Sequence, residues 1–394
     1  MRIHYFVPTF YPEETGFAIA FKNLCLSIID IPEIEKIIVY SPIKPEKTEL
    51  HEKIEVRLVE KHIFASKFIN LFGEKLGLMV INIFLSAWFK KLDFRNTDLI
   101  FVESIFLSYL SLFLARKVGK EKVITRVHGC LPEIAVWTKD KKRNVLVNYL
   151  MQTDKIAVTT YHYIEYLIEN FNFRQDNSKR FYIIPNTVKF KENSKSFLKT
   201  EKLSILQLGR MDDNGYFQKG FQDVLQGLYY LETIMSDKDL KDIKYTSIGN
   251  GKNYLEFSKK LDQLEKIESA SYETLSNIEV QEQIASADVI LLPSRYEGMS
   301  MFATEALAKG KVFIYTSNGG LRDMIIDNFN GFSVRTFDYI QIAEAIKTLF
   351  YNRSKIDEFG KNSINLFEKE FSYEVVKNKF SVIIKDFLTE KTIK

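Results

Sequence analysis

VILLPSRYEGMSMFATEALAKGKVFIYT, Val289 to Thr316, reads as strand, loop, helix, strand. Val289–Pro293 is a short apolar run with the length of a buried strand. Ser294 to Ser300 is a polar loop holding Glu297 and Gly298. Met301 to Lys309 is built from good helix formers, and Gly310 stands where a left-handed residue ends a helix. Ser300 is placed to cap that helix. Val312–Thr316 is a second apolar strand. A helix crossover between two buried strands demands a parallel sheet covered on both faces.

The same alternation runs outward in both directions. Strands are predicted at Arg2–Pro8, Lys36–Ser41, Ile54–Leu58, Leu99–Glu103, Lys122–His128, Lys155–Thr159 and Tyr182–Ile184. A second series covers Leu203–Gly209, Ile243–Ile248, Ile267–Tyr272, Val289–Pro293, Val312–Thr316 and Gly331–Val334. Helix-period segments such as Ala18–Ile29, Phe106–Val118 and Phe221–Tyr230 lie between them. The two series are separated by IIPNTVKFKENSKS, Ile183–Ser196, which is polar and lysine-rich and reads as a linker. The expected architecture is α/β, with two doubly wound Rossmann-like domains facing across a cleft. The first spans 1–188 and the second 189–371. The tail from Phe371 is amphipathic, with Ser372 as a cap and Val376, Phe380, Ile383, Ile384 and Phe387 on one face. Ligands of such sheets bind beyond the carboxyl ends of the strands.

Composition narrows the function. The 394 residues suit two domains, and 46% apolar with 27% charged residues is ordinary for a globular chain. A net charge of only +4 argues against a nucleic-acid partner. Two cysteines, Cys25 and Cys130, provide no metal spacing or disulfide framework, which points to the cytoplasm. The N-terminus lacks the pattern of a signal peptide. The longest apolar run, Leu76–Phe89, is shorter than the roughly 20 residues that span a bilayer.

Several strand ends carry candidate chemistry. After the strand ending at Gly209 comes Arg210, and Lys219-Gly220 precedes the next helix. Two cations there can neutralise a diphosphate, although surface charge is the commoner explanation of either one alone. Glu297 in its loop and Glu305 one turn into the next helix can accept from vicinal hydroxyls. Equally, they can be a loop acid and an exposed helix position. Amides around Met299, Ser300 and Met301 lie at a helix start, where an anion is favoured. Gly16 stands just before the first long helix, and His128, closing the strand VITRVHG, can line the cleft as a catalytic donor or acid/base group or be an ordinary core or surface histidine. SIGNGK, Ser247–Lys252, places Gly249 in a turn able to approach a nucleotide base. Asp237 and Asp239 in MSDKDLKD read as a solvated turn rather than a metal site. Neither GxGxxG nor a Walker-type loop occurs.

In their order and spacing, GR(x8)KG at Gly209–Gly220, PSRYEG(x6)EALAKG at Pro293–Gly310, SNGGLRDMI at Ser317–Ile325, NGF at Asn330–Phe332 and the FSYE start of the tail resemble the retaining glycosyltransferases of family 4, which have the GT-B fold. The resemblance covers nearly the whole chain. It implies transfer of a sugar from a nucleoside diphosphate sugar, UDP-linked in preference to GDP-mannose, with no metal or other cofactor. Arg210 and Lys219 would hold the donor diphosphate, and Gly209, Gly249 and Gly298 would leave room for the donor. Glu297 would contact the donor-sugar hydroxyls and Glu305 the ribose. Gly16 would admit the diphosphate, and His128 would sit beside the transferred sugar. Helix 372–391 would cross back onto the first domain. The sequence departs from the pattern at Phe17, where a second glycine is usual, at Ser300, at IPNTV, and in the insertion-like DDNGYFQ between Arg210 and Lys219.

The acceptor side is less explicit. Residues 61–95 carry six cations against two carboxylates, with aromatic and aliphatic residues at helical spacing. Such a segment can lie on an anionic membrane surface or form core helices. The expected acceptor is a saccharide or lipid-linked saccharide in bacterial surface polysaccharide synthesis, with the protein cytoplasmic or peripheral to the inner face of the membrane. A catalytically silent sugar-nucleotide-binding partner subunit and a nucleotide-sugar epimerase are the other readings.

Overall fold

The computed structural model describes residues 1–8, 10, 15–42, 51–59, 85–104, 107–128, 147–171, 181–189 and 201–392. The chain forms two compact units, one of Met1–Thr187 with Tyr373–Lys394 and the other of Val188–Ser372.

The first unit is a seven-stranded sheet of order β3-β2-β1-β4-β5-β6-β7. Its strands are β1 (Arg2–Phe6), β2 (Lys36–Ser41), β3 (Ile54–Leu58), β4 (Leu99–Glu103), β5 (Val123–Val127), β6 (Lys155–Val158) and β7 (Phe181–Ile183). Every neighbouring pair is parallel. The strand order reverses between β1 and β4, which makes their carboxyl ends the topological switch point. Helix α1 (Gly16–Ile28) follows β1, and Thr15 caps it by accepting from the Ala18 amide. Helix α2 (Ser108–Val118) follows β4, and α3 (Tyr161–Phe171) follows β6.

The second unit is a six-stranded sheet of order β10-β9-β8-β11-β12-β13. It comprises β8 (Leu203–Leu208), β9 (Ile243–Ile248), β10 (Glu268–Tyr272), β11 (Val289–Leu292), β12 (Val312–Thr316) and β13 (Gly331–Val334). All five pairings are parallel. Its helices are α4 (Asp213–Lys219), α5 (Phe221–Ile234), α6 (Asp237–Leu240), α7 (Tyr254–Leu261), α8 (Asn277–Ser286), α9 (Met301–Ala308), α10 (Tyr339–Tyr351) and α11 (Arg353–Glu370). Along β11 the side chains alternate between two buried faces. Val289 and Leu291 join the core with Leu225, Leu228 and Ile346, while Ile290 and Leu292 pack with Phe302, Ala303 and Leu307. This two-sided burial explains why the strand reads as an unbroken apolar run. Here the switch point lies between β8 and β11.

The tail forms α12 (Tyr373–Thr392), and the face read from the sequence is the one it buries. Val376, Phe380, Ile383, Ile384 and Phe387 are each at most 1% exposed and join the core of the first unit. Phe380 stacks on Phe101 of β4 at 5.2 Å. Polar ties reinforce the dock: Tyr373 donates to Asn23 at 2.9 Å, Tyr182 to Asp386 at 3.2 Å, and Lys155 pairs with Glu390 at 2.7 Å. The Ser372 hydroxyl donates to the Glu368 carbonyl.

Two expectations change, and a third falls largely outside the described residues. DDNGYFQ is not an insertion-like loop. Asp212 accepts from the Gly215 amide, and residues Asp213–Lys219 form α4. Asp237 and Asp239 lie in the four-residue helix α6, capped by Ser236, instead of a turn. Asp237 pairs with Lys266, and Asp239 accepts from Ser236 and Tyr351. Residues 60–84 and Cys130 lie outside the described residues, so most of the basic amphipathic segment does too. Its described end faces inward: Leu85 is buried, and Trp88 meets Phe6 edge-on at 5.5 Å. No helix among the described residues is long and apolar enough to cross a membrane.

Candidate active site

The carboxyl ends of β8 and β11 bring the second unit's candidate residues together. After β8, Gly209 is buried, and a Cβ there would fall 2.6 Å from Cγ of Lys219. Arg210 points outward and pairs with Asp212 at 3.1 Å. Helix α4 then ends on Lys219. Gly220 adopts φ 69°, a left-handed turn that lets α5 start at once in a new direction. The end of α4 is fixed from below and from the side. Gln207 donates to the Lys219 carbonyl at 3.0 Å, and the Tyr245 hydroxyl in turn holds Gln207 at 2.7 Å. Gln218 donates to the Tyr296 carbonyl, and the Arg295 amide donates back to the Gln218 carbonyl.

After β11, Glu297 is buried, with 7% exposure. Its carboxylate forms an ion pair with the Lys219 ammonium and accepts from the Ser294 hydroxyl at 3.2 Å. The SNGG stretch explains how the backbone is held there. Gly319 has φ 58°, and a Cβ on it would meet the Glu297 carbonyl oxygen at 2.1 Å; the Gly320 amide donates to that oxygen at 2.9 Å. Ser294 is pinned as well, its carbonyl accepting from the Thr316 hydroxyl and from Asn318. Arg295 turns away from the site. It pairs with Asp223 at 2.9 Å and lies over the rings of Phe217 and Phe337, 5.0 and 4.4 Å from their centroids.

Gly298 leads into Met299 and Ser300, both buried, and Met301 opens α9. Ser300 caps α9 by accepting from the Ala303 amide. The helix start therefore offers its remaining amides and its partial positive charge beside the Lys219–Glu297 pair. Gly249, after β9, is buried against Gly209: a Cβ would lie 2.1 Å from the Gly209 carbonyl oxygen.

Glu305 takes different partners. It faces Gln281 of α8 and lies near Lys309. Burial drives its carboxyl up to about 7, against the smaller opposing effects of those two neighbours. It is not an exposed helix position, which was the alternative reading. A carboxyl with its pKa near neutrality responds to any ligand that favours its charged form.

In the first unit, Gly16 is exposed at the first turn of α1, with no described residue within 4 Å of where a Cβ would be. Phe17 packs against the ring of His128 at 4.8 Å. Burial, followed by the Arg126 charge, holds the His128 imidazole well below its ordinary pKa, so it is neutral at neutral pH. Arg126 and Glu103, paired at 2.9 Å, are fully buried beside it. Sequence reasoning passed over both, although a charge inside VITRV and another closing LIFVE were visible signals in otherwise apolar strands. A second buried cluster, His4–Asp98–Arg2, joins the amino ends of β1 and β4. It lies at the opposite edge of the sheet from the switch point and serves to anchor those strands. Among the described residues, no group of three or more His, Cys, Asp or Glu could hold a metal ion.

Residues 188–366 match the family model described as Glycosyl transferases group 1. The chain carries a group 1 glycosyltransferase domain. All the second-unit candidates, from Gly209 to Glu305, fall inside it. Over 308 residues the chain is 25% identical to an uncharacterized 41.2 kDa protein in the cps region of Klebsiella pneumoniae, covering 72% of this chain and 79% of that one. Among solved structures, the sucrose-phosphate synthase of Thermosynechococcus elongatus matches with a TM-score of 0.75 at 14% identity, covering 99% of each chain. A trehalose-6-phosphate protein from E. coli bound with UDP-2-fluoro glucose matches at 0.72 and 13% identity, over 98% of this chain and 99% of that one. With two Rossmann-like units of parallel sheet, the fold is GT-B. The group 1 domain makes the chain a glycosyltransferase.

Proposed function

We propose that this glycosyltransferase moves a sugar, with retention of anomeric configuration, from a UDP-sugar to a saccharide or lipid-linked saccharide in bacterial surface polysaccharide assembly. The observation that carries the donor assignment is the Lys219–Glu297 ion pair at the switch point of the second unit. A lysine and a carboxylate neutralise each other while the site is empty. When a diphosphate arrives, Lys219 exchanges the carboxylate for phosphate oxygens. Glu297 is then released to accept from the hydroxyls of the donor sugar. Arg210 swings from Asp212 to the same diphosphate, and the capped start of α9 adds its amides. Glu305 accepts from the ribose.

The reaction then needs little covalent help from the protein. As the glycosidic bond to phosphate breaks, negative charge grows on the nucleoside diphosphate. Arg210, Lys219 and the α9 amides stabilise it where it develops, and one such donor is typically worth about 3–4 kcal/mol of barrier. These cations take the place a divalent metal would fill, so transfer is metal-independent. The acceptor attacks from the face the diphosphate leaves, and the departing phosphate takes its proton. Gly16 and His128 retain the roles the resemblance gives them, as does Met299-Ser300-Met301 in setting sugar preference.

A relative in a cps region and a structural neighbour holding a UDP-sugar support the pathway and the donor. Incubation with a panel of UDP- and GDP-sugars, with and without EDTA, tests the reading. Thermal stabilisation and turnover with a UDP-sugar in EDTA are expected. Stabilisation by GDP-mannose alone would reassign the base, and epimerised donor without transfer would reassign the reaction. Sedimentation with anionic liposomes at low salt tests membrane association through 61–84. Protein left wholly in the supernatant would remove the lipid-linked acceptor's supporting argument.

A further inference from the structure

The Arg126 guanidinium is forked between three partners. Nη1 donates to Oε2 of Glu103 at 2.9 Å and faces Nδ1 of His128 at 3.1 Å, while Nη2 donates to the Ile184 carbonyl at 3.1 Å. Neither Arg126 nor Glu103 has any solvent exposure. A guanidinium carries five donors and no acceptor, and it stays protonated in proteins. Its contact with Nδ1 is therefore a hydrogen bond only if Nδ1 accepts. A neutral imidazole whose Nδ1 accepts must carry its proton on Nε2. Phe17 packs against the ring at 4.8 Å, tilted by 53°.

Buried, paired charges of this kind are poor stabilisers, because desolvation offsets most of their attraction. Among the described residues, Oε1 of Glu103 and Nε of Arg126 have no hydrogen-bond partner, which raises that cost. A hydrophobic pair of similar volume would fill the space at least as well. The arrangement is better explained by what it imposes on His128.

We propose that Glu103 and Arg126 are positioning residues that lock His128 as the neutral, Nε2-protonated tautomer, so that it presents a hydrogen-bond donor and never a base or an acid to the bound sugar. Glu103 holds the guanidinium, the guanidinium occupies Nδ1, and Nε2–H is left to donate to a sugar hydroxyl. The charged groups acting on the ring among the described residues are Arg126 and, through it, Glu103. His128 then binds without exchanging protons, which suits a reaction in which the leaving phosphate takes the acceptor's proton. The assignment of His128 to the sugar rests on the proposed function; the tautomer lock does not.

The test separates the two. Nitrogen-15 NMR of histidine-labelled protein, with His128→Asn to assign the signal, reads the tautomer directly and without substrate. The expected spectrum shows protonated Nε2 and bare Nδ1, unchanged between about pH 5.5 and 8. In the double variant Glu103→Gln/Arg126→Met, which leaves no lone buried charge, the ring should become a mixture of tautomers and titrate nearer its ordinary value. Protonated Nδ1 in the wild type, or an unchanged His128 signal in the double variant, would overturn the proposal. Transfer activity is the second readout. A loss of about 10–100-fold in the folded double variant, with donor affinity kept, is expected of a misaimed donor. An intact lock with no activity loss on releasing it would leave the tautomer assignment standing and remove His128 from the sugar.

Discussion

Lys219 and Glu297 lie 78 positions apart in the sequence and meet in an ion pair at the carboxyl edge of the second unit's sheet. The pairing depends on the switch in strand order between β8 and β11, which brings the segment after the first strand of this unit beside the segment after the fourth. Neither side chain could be placed on the other from local pattern alone.

Glu297 depends on Lys219 for charge and on Ser294 for a hydrogen bond. Replacement by glutamine keeps the shape and removes the charge. Glu297→Gln should fold with a lowered melting temperature, because it leaves the Lys219 ammonium without its counter-ion. It should also lose about 100-fold or more in transfer rate, because hydroxyls bind a carboxylate about twice as strongly as an amide. Steady-state kinetics with a UDP-sugar beside a thermal melt checks both halves.

The raised pKa of Glu305 predicts a pH dependence. Its carboxyl sits at about 7 in the folded chain, above the ordinary 4.5 of the unfolded one. The folded state therefore holds the proton more tightly. The group costs no stability below about pH 4.5, and a growing amount as pH rises toward about 7. Above that, the cost is on the order of 3 kcal/mol. Glu305→Gln should be more stable than wild type at about pH 8 and equal to it near pH 4. Nucleotide affinity should rise with pH from about 6 to 8 in the wild type, as the carboxylate forms, and lose that slope in Glu305→Gln. Urea titrations and calorimetry at the two extremes measure this.

Gly319 tests how firmly the loop is held. Its left-handed φ and its 2.1 Å approach to the Glu297 carbonyl leave no room for a methyl group. Gly319→Ala should cost at least about 1 kcal/mol from the backbone alone. It should also displace Glu297, so donor affinity falls with stability. A melt that drops while donor affinity stays at the wild-type value would uncouple the SNGG stretch from the site.

The alternation of short apolar runs with helical periods fixed much of this fold in advance. Lys36–Ser41, Ile54–Leu58, Leu99–Glu103, Ile243–Ile248, Val312–Thr316 and Gly331–Val334 fall where the β-branched and aromatic runs begin and end. Helix α4 escaped notice because it is only seven residues long with Gly215 inside it. Its order comes from the Asp212 cap and from tertiary ties at Lys219 rather than from propensity. Candidate residues at strand ends were legible because parallel sheets put binding groups there. Their environments were not: the burial of Glu305 against Gln281, and of Arg126 against Glu103, arises from contacts between separate elements that no local period reports.

The tail helix offers an independent test of the first unit. Phe380 is fully buried against Phe101, and truncation would leave a cavity the neighbouring strands cannot close. Phe380→Ala should lower stability by about 3–5 kcal/mol. Chemical denaturation read from the first unit's single described tryptophan, Trp88, in a variant lacking the other chain tryptophan, Trp137, should show it.

The most direct test of the central claim is the rate of sugar transfer from a saturating UDP-sugar in Lys219→Ala. If Lys219 leaves Glu297 for the departing diphosphate, kcat should fall by about 100- to 1000-fold in a protein that still folds. Transfer at the wild-type rate would contradict the account.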